Sequence, residues 1–123
     1  MSGKTVFLAD DSEIVLSMAG AALQTAGYTV ETFSRWEDLD ERLKVQAPDL
    51  ILLDINMPEM HGDSVLMYYK EDRGIRDVPL LLFSDIEVHE LEERAKECGA
   101  DGFVSKGWGL ERLVDIVGQQ LAD

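Results

Sequence analysis

The stretch that decides the fold reads Asp49-Leu50-Ile51-Leu52-Leu53-Asp54-Ile55-Asn56-Met57-Pro58-Glu59-Met60-His61-Gly62. The four aliphatic residues at 50–53 are too few for a helix and predict a strand that is buried on both faces. This strand leads directly to Asp54, whose charge cannot remain in the core, and Pro58 and Gly62 then indicate a loop. A carboxylate at the carboxyl end of a buried parallel strand lies where open α/β sheets place their functional groups. A simpler interpretation, taken alone, is that Asp54 merely ends the strand.

On both sides of this stretch, strand and helix patterns alternate along the chain. Four further short apolar segments, residues 6–9, 28–33, 79–83 and 102–105, predict strands. A first helix is predicted at about 12–26, with Gly27 as the closing residue. A second is predicted to begin with a capping box at Ser34 to Glu37, and a third lies around Val65 and Tyr69. Two more are predicted before Gly99 and at the end of the chain. The alternation predicts an α/β fold, a doubly wound five-stranded parallel sheet with five helices, in which residues 1–123 form a single domain.

The composition limits the partners and the compartment. Twenty-five acidic residues against 11 basic ones give a net charge of −14. This argues against binding nucleic acid or an anionic membrane through this domain, because phosphate contacts need clusters of Lys and Arg. Cys98 is the only cysteine, so an internal disulfide is excluded. No signal-peptide pattern or membrane-spanning apolar run is present, and we expect a cytoplasmic protein.

Polar side chains follow four of the five predicted strands. They are Asp10 and Asp11, Asp54, Ser84, and Lys106. Because the carboxyl ends of parallel strands meet at one edge of a sheet, we expect these side chains to lie close together. Each also has a simpler interpretation: Asp11 and Ser84 as helix caps, and Lys106 as a solvated lysine.

Three convergent carboxylates repel one another, by roughly 4 kcal/mol per pair at 4 Å and an effective dielectric constant near 20. Protons, a lysine or a metal ion must neutralise them. The candidate ligands are all oxygens, without a His or Cys cluster, so the pattern favours a hard cation, and Mg²⁺ fits best. Ser84 and Lys106 would then supply a hydroxyl and an ammonium group for an incoming phosphoryl group.

These residues, in this order and at these spacings, resemble the receiver domains of two-component response regulators, and the resemblance covers essentially the whole chain. It rests on the Asp10-Asp11 pair, on Asp54 followed by Met57-Pro58 and Gly62, and on Ser84 and Lys106 after the last two strands. The resemblance implies the flavodoxin-like strand order 2-1-3-4-5. It also implies that a histidine kinase or a histidine phosphotransfer protein donates a phosphoryl group to Asp54.

The same resemblance implies the remaining site residues. Mg²⁺ would be bound by Asp11, Asp54 and the backbone carbonyl of Asn56, with Asp10 in support. Ser84 and Lys106 would hold the phosphoryl oxygens. Phe103 matches the aromatic residue that turns inward when Ser84 moves, although a core position on the strand explains it equally well.

Two residues depart from the family pattern and are candidates for modulating the switch. Gly107 stands where the family usually has proline, which predicts a more mobile loop with Gly109 as a cap of the last helix. Asp85 stands where the residue after Ser84 is commonly small. Its side chain either faces the phosphoryl site or caps the next helix.

The first predicted helix lacks charge, since none of residues 14–30 is charged. We expect Val15, Met18, Ala22 and Ala26 to pack on the sheet. Leu16, Ala19, Gly20 and Leu23 would then lie on an apolar outer face that contacts the helices of the phosphodonor protein. An ordinary, tightly covered helix is the alternative.

We therefore expect a stand-alone receiver without an output domain, which is not an enzyme beyond its own phosphorylation and dephosphorylation. Its output would be passage of the phosphoryl group or a change in binding to a downstream protein. The resemblance implies that this protein would contact the predicted fourth helix, fifth strand and fifth helix. One alternative is a receiver-like interaction module that does not use phosphate. An enzyme on the same fold is disfavoured, because the first strand is followed neither by a flavodoxin phosphate loop nor by the D-x-D pair of haloacid-dehalogenase phosphatases.

Overall fold

The fold is a five-stranded parallel sheet with helices on both faces, seen in a computed structural model that describes residues 3–54 and 77–122. The strands are β1 (Thr5–Ala9), β2 (Thr29–Phe33), β3 (Leu50–Asp54), β4 (Leu80–Ser84) and β5 (Gly102–Ser105). They pair in the order β2-β1-β3-β4-β5, and every pairing is parallel. The flavodoxin-like strand order is thus confirmed.

The described residues contain four α-helices. They are α1 (Glu13–Thr25), α2 (Trp36–Leu43), α3 (Val88–Cys98) and α4 (Leu110–Leu121), with a 3₁₀ turn at Lys106–Trp108. The predicted helix around Val65 and Tyr69 lies outside the described residues. None of the helices within residues 3–54 and 77–122 has the length and apolar character needed to cross a membrane.

The sheet separates two hydrophobic clusters. One contains alternate residues of β1 and β3, such as Phe7 and Ile51, and is covered by Leu39 of α2 and Leu91 of α3. The other contains the intervening strand residues, such as Leu8, and is covered by α1 and α4. Strands buried on both faces in this way carry continuous apolar segments, which explains why residues 50–53 are uninterrupted by a polar residue.

The helix ends follow local hydrogen bonding. Ser12 begins α1, and its Oγ accepts a hydrogen bond from Val15 N at 3.3 Å. The helix ends at Ala26, followed by Gly27 with a φ of 107°. The capping box predicted at Ser34 is wrong, because α2 begins one residue later, after Arg35, without a side-chain cap. Arg35 instead pairs with Glu37 Oε2 at 3.0 Å.

Two long side chains join elements that are distant in sequence. Arg42 of α2 binds both carboxylate oxygens of Glu31 on β2, at 2.8 and 3.2 Å. This contact raises the pKa of Arg42. Lys4, just before β1, donates from Nζ to the carbonyl oxygen of Leu121 at the end of α4, at 2.6 Å.

Candidate functional site

Three carboxylates meet at the carboxyl edge of the sheet. Asp10 and Asp11 follow β1, and Asp54 ends the neighbouring strand β3. One oxygen of each lies within 4.8 Å of the others. Asp10 is fully buried and Asp54 is 2% exposed, whereas Asp11 is exposed. The edge therefore concentrates negative charge where water has little access to two of the three groups.

Backbone contacts hold Asp10 in place. Its N–H donates to the carbonyl oxygen of Phe33 at 3.0 Å, and its Oδ1 accepts from Ser12 N at 2.9 Å. Ser12, not Asp11, caps α1, so the helix-cap alternative for Asp11 is wrong. The carboxylate of Asp11 is not required to begin the helix and remains available at the mouth of the cluster.

Lys106 is the cation of this cluster. Its Nζ lies 2.7 Å from Asp10 Oδ2 and 3.6 Å from Asp54 Oδ2, and 5.4 Å from the centre of the Phe83 ring. Burial opposes the charged ammonium, but the close ion pair with Asp10 and the charges of Asp54 and Asp85 outweigh it. The pKa of Lys106 is therefore raised above its usual value. The lysine is a charged member of the cluster and not the solvated side chain of the simpler interpretation.

Ser84 ends β4 and is fully buried. In the sheet register Asp54 is level with Phe83, so Ser84 lies one residue further toward the carboxyl edge. Its Oγ accepts from Ile86 N at 3.2 Å, within the turn that precedes α3. The cap of α3 is Glu87, whose side chain accepts from His89 N, so the prediction that Ser84 or Asp85 caps this helix is wrong.

The carboxylates fit a small hard cation. Oxygens on opposite sides of an octahedral Mg²⁺ are about 4.2 Å apart, given metal–oxygen distances near 2.1 Å, so a set spread over 4.8 Å can place two oxygens on the metal and the third through water. This spread is compatible with the predicted arrangement, in which Asp11 and Asp54 bind the metal directly and Asp10 supports them from beside the metal. Asn56 lies outside the described residues, and its predicted carbonyl ligand stays a prediction.

Phe103 has a partner that the sequence did not reveal. Its ring lies on β5 and packs against the cluster under α2 and α3, and its centre is 5.7 Å from that of Trp108. Trp108 packs against the cluster on the other face and lies 4.8 Å from the guanidinium of Arg112. The pair thus covers the outer edge of the sheet beside Lys106. A core role for Phe103 and a switch role are both compatible with this contact.

The glycines after Lys106 shape the loop into α4. Gly107 N donates to Ser105 Oγ at 3.2 Å, a bond that proline, having no N–H, cannot make. Gly109 occupies the cap position of α4 with a φ of 91°, as predicted. These features give the loop a conformation that the family's usual proline would not reproduce.

The prediction of the buried face of α1 is wrong except at Val15. Leu16, Ala19, Gly20 and Leu23 are buried, and a Cβ on Gly20 would contact Thr32 Cγ2 at 3.5 Å. Met18 is 55% exposed and Ile14 72%. The helix does present an apolar outer face, and it includes Met18 and Ala26, which were expected to pack on the sheet. Val15 does pack against the core, as predicted.

This outer face continues into a groove beside the acidic cluster. A groove of about 680 Å³ lies between Met18 and Ala22 of α1 and Leu110 and Val114 of α4. A hollow of about 260 Å³, lined partly by the same Met18 and Leu110, reaches Lys106. An apolar surface therefore runs from the two helices to the lysine of the site.

Known proteins resemble the whole chain. The family model of the response regulator receiver domain matches residues 6–118 of this chain. The polar-differentiation response regulator DivK of Brucella ovis is 30% identical over 121 residues, which are 98% of this chain and 98% of DivK. The structure of the chemotaxis response regulator CheY4 of Vibrio cholerae is 27% identical with a TM-score of 0.88, over 98% of this chain and 100% of that one. A response regulator structure from Chloroflexus aurantiacus, 22% identical over 99% and 100% of the two chains, has a TM-score of 0.91 and supports the fold alone.

Proposed function

Because the chain belongs to the response regulator receiver domain family, we propose that it accepts a phosphoryl group on Asp54 from a phosphohistidine protein. The observation that carries the proposal is the contact between the buried Asp54 and Lys106, at 3.6 Å, within the cluster that also contains Asp10 and Asp11. A nucleophilic carboxylate needs a positive neighbour as the negatively charged phosphoryl group arrives, and Lys106 supplies one.

In the proposed reaction a carboxylate oxygen of Asp54 attacks the phosphorus atom of the phosphohistidine. The phosphorus–nitrogen bond breaks, its electron pair stays on the imidazole nitrogen, and that nitrogen takes up a proton. The product is an aspartyl phosphate on Asp54. Water later attacks the same phosphorus atom, which releases inorganic phosphate and restores the carboxylate, so the chain carries the group without turning over any other substrate.

The neighbouring side chains have separate roles in this proposal. Lys106 donates hydrogen bonds to a phosphoryl oxygen, and leaves its contacts with Asp10 and Asp54 to do so. Ser84 donates its hydroxyl to another oxygen, a role that its buried position one residue beyond the level of Asp54 supports. Mg²⁺, when bound by Asp11 and Asp54 with Asp10 in support, would neutralise charge on the phosphoryl oxygens.

We further propose that the donor is a histidine kinase or a histidine phosphotransfer protein, and that one of its helices docks in the groove between α1 and α4. The support is continuity, since the hollow at the upper end of that groove is lined by Lys106 itself. A downstream protein would contact α3, β5 and α4, which are the predicted fourth helix, fifth strand and fifth helix. The single, buried Cys98 is compatible with action in the cytoplasm.

The decisive experiment is labelling with acetyl phosphate, followed by intact-protein mass spectrometry. We expect one Mg²⁺-dependent, base-labile phosphoryl group in the wild type and none in Asp54→Asn, which keeps the shape of the side chain but removes the nucleophile. Melting with Mg²⁺ and beryllofluoride, a mimic of the acyl phosphate, gives a second measurement that requires no turnover. Equal labelling of Asp54→Asn, or no added stabilisation by beryllofluoride, would contradict the proposal.

A further inference from the structure

Asp85 lies beside Lys106 at the carboxyl edge of the sheet. The strands β4 and β5 are paired so that Ser84 is level with Ser105. The residues that follow, Asp85 and Lys106, therefore leave adjacent parallel strands at the same level. Ser84 and Lys106 are both partly or fully buried in the site, whereas Asp85 is exposed at its mouth.

No structural role in the described residues accounts for Asp85. Glu87 caps α3, and Ser84 Oγ accepts the hydrogen bond of the turn from Ile86 N. Within residues 3–54 and 77–122 the carboxylate of Asp85 makes no hydrogen bond or ion pair. Its negative charge favours the charged form of Lys106, as do the charges of Asp54 and Asp10. Asp85 is thus the third carboxylate whose charge acts on this one ammonium group.

This position matters for whatever approaches Asp54. A small phosphodonor is an anion that reaches the site from water, past the exposed Asp85, and is held there only by the charges of the site. Phosphohistidine carries less negative charge, because its imidazole can be protonated, and the surface of the donor protein supplies binding energy elsewhere. A carboxylate at the mouth therefore penalises the two kinds of donor unequally.

We propose that Asp85 determines donor specificity: it slows phosphorylation of Asp54 by small anionic acyl phosphates and so restricts the receiver to phosphohistidine donors. This inference rests on the proposed function. The mechanism is repulsion in solvent, so the effect weakens as salt screens the exposed charge.

Asp85→Asn tests the inference, because it removes the charge and keeps the shape. Two small donors are compared in the presence of Mg²⁺, acetyl phosphate and the less negative phosphoramidate. At low salt we expect Asp85→Asn to be labelled about tenfold faster by acetyl phosphate, which corresponds to the loss of about 1.4 kcal/mol of repulsion. We expect a gain below about threefold with phosphoramidate, and a smaller acetyl phosphate gain at 0.5 M salt, where the Debye length is only a few ångströms.

Glu90→Gln is the matched control, since Glu90 is also exposed and lies in the first turn of α3, and its loss changes the net charge equally. Both labelling rates of this variant should stay within about twofold of the wild-type rates, because salt screens exposed charges that are distant from the site. An equal gain with both donors, an equal gain in Glu90→Gln, or no gain in Asp85→Asn would overturn the inference and leave the proposed function intact. If no variant is labelled at Asp54, the proposed function fails and the inference fails with it.

Discussion

The ammonium nitrogen of Lys106 lies 2.7 Å from Asp10 Oδ2, so a lysine reached after the last strand neutralises a carboxylate that follows the first. Two strands, β3 and β4, lie between β1 and β5 in the sheet, and the side chain of Lys106 reaches across their ends. In doing so it passes within 3.6 Å of Asp54. A phosphoryl group or a metal ion that enters the site must therefore compete with an ion pair that is already formed.

Removing the charge of one carboxylate in the cluster should stabilise the protein in the absence of metal and weaken its binding of Mg²⁺. Asp11→Asn relieves repulsion, so we expect a higher melting temperature than the wild type without Mg²⁺. Wild-type protein should gain about 1.4 kcal/mol at a Mg²⁺ concentration ten times the dissociation constant, and Asp11→Asn should lose most of that gain. Thermal melts with and without Mg²⁺ measure both effects. Glu13→Gln, an exposed change in the same region, is the control. If Mg²⁺ stabilised Asp11→Asn as much as the wild type, Asp11 would be excluded as a ligand.

The outer face of α1 should control transfer from a protein donor. Met18→Glu places a charge in the apolar groove. We expect labelling by a phosphohistidine protein to be at least about tenfold slower, which corresponds to the loss of about 1.4 kcal/mol of binding free energy from one buried apolar contact. Labelling by acetyl phosphate should not change. Ser17→Glu adds the same charge on an exposed position of the same helix that does not line the groove. Equal slowing in the two variants, or slowing of both donor routes, would argue against docking in the groove.

Gly20 offers a stability test of the corrected orientation of α1. A methyl group there would make an ordinary contact with Thr32 Cγ2 at 3.5 Å. Gly20→Ala should therefore raise the free energy of unfolding by about 1 kcal/mol, the usual difference between alanine and glycine inside a helix. Gly102→Ala should lower it, because its Cβ would lie 3.0 Å from Leu81 Cδ2 in the core. The midpoints of urea unfolding compare the two variants with the wild type. Destabilisation by Gly20→Ala would show that there is no space for a methyl group between α1 and β2.

The contact between Phe103 and Trp108 should report a switch in the site. If Phe103 moves when the phosphoryl oxygens are bound, the environment of Trp108 changes, because their ring centres are 5.7 Å apart. We expect Mg²⁺ with beryllofluoride to alter the tryptophan emission of a Trp36→Phe variant, in which Trp108 is the remaining tryptophan. The change should be lost when Phe103→Leu is added. An unchanged emission in the first variant would favour the core role of Phe103.

The strands and the residues at their ends were predictable, because each strand is a short apolar segment that stops at a polar residue. The buried face of α1 was not, since residues 14–30 carry no charge and either face could be the inner one. The cap of α3 was also missed. Ser84 and Asp85 are favoured cap residues by type, whereas glutamate is not, so the hydrogen bond from His89 N to Glu87 could not be foreseen. Trp108 gave no sign of its contact with Phe103, because the 3₁₀ turn that brings them together has no periodic pattern.

The bond from Lys4 to the carbonyl of Leu121 has a practical consequence for work with this chain. It brings the first and last described elements together at the amino edge of the sheet. Lys4 precedes Asp10 by six residues, or about 20 Å of extended strand. A fluorophore or a surface tether attached at Lys4 or Leu121 therefore starts far from the acidic cluster. For the same reason, a short linker between Lys4 and Leu121 would suit a circular permutant, with new ends opened in a loop on the opposite side of the sheet.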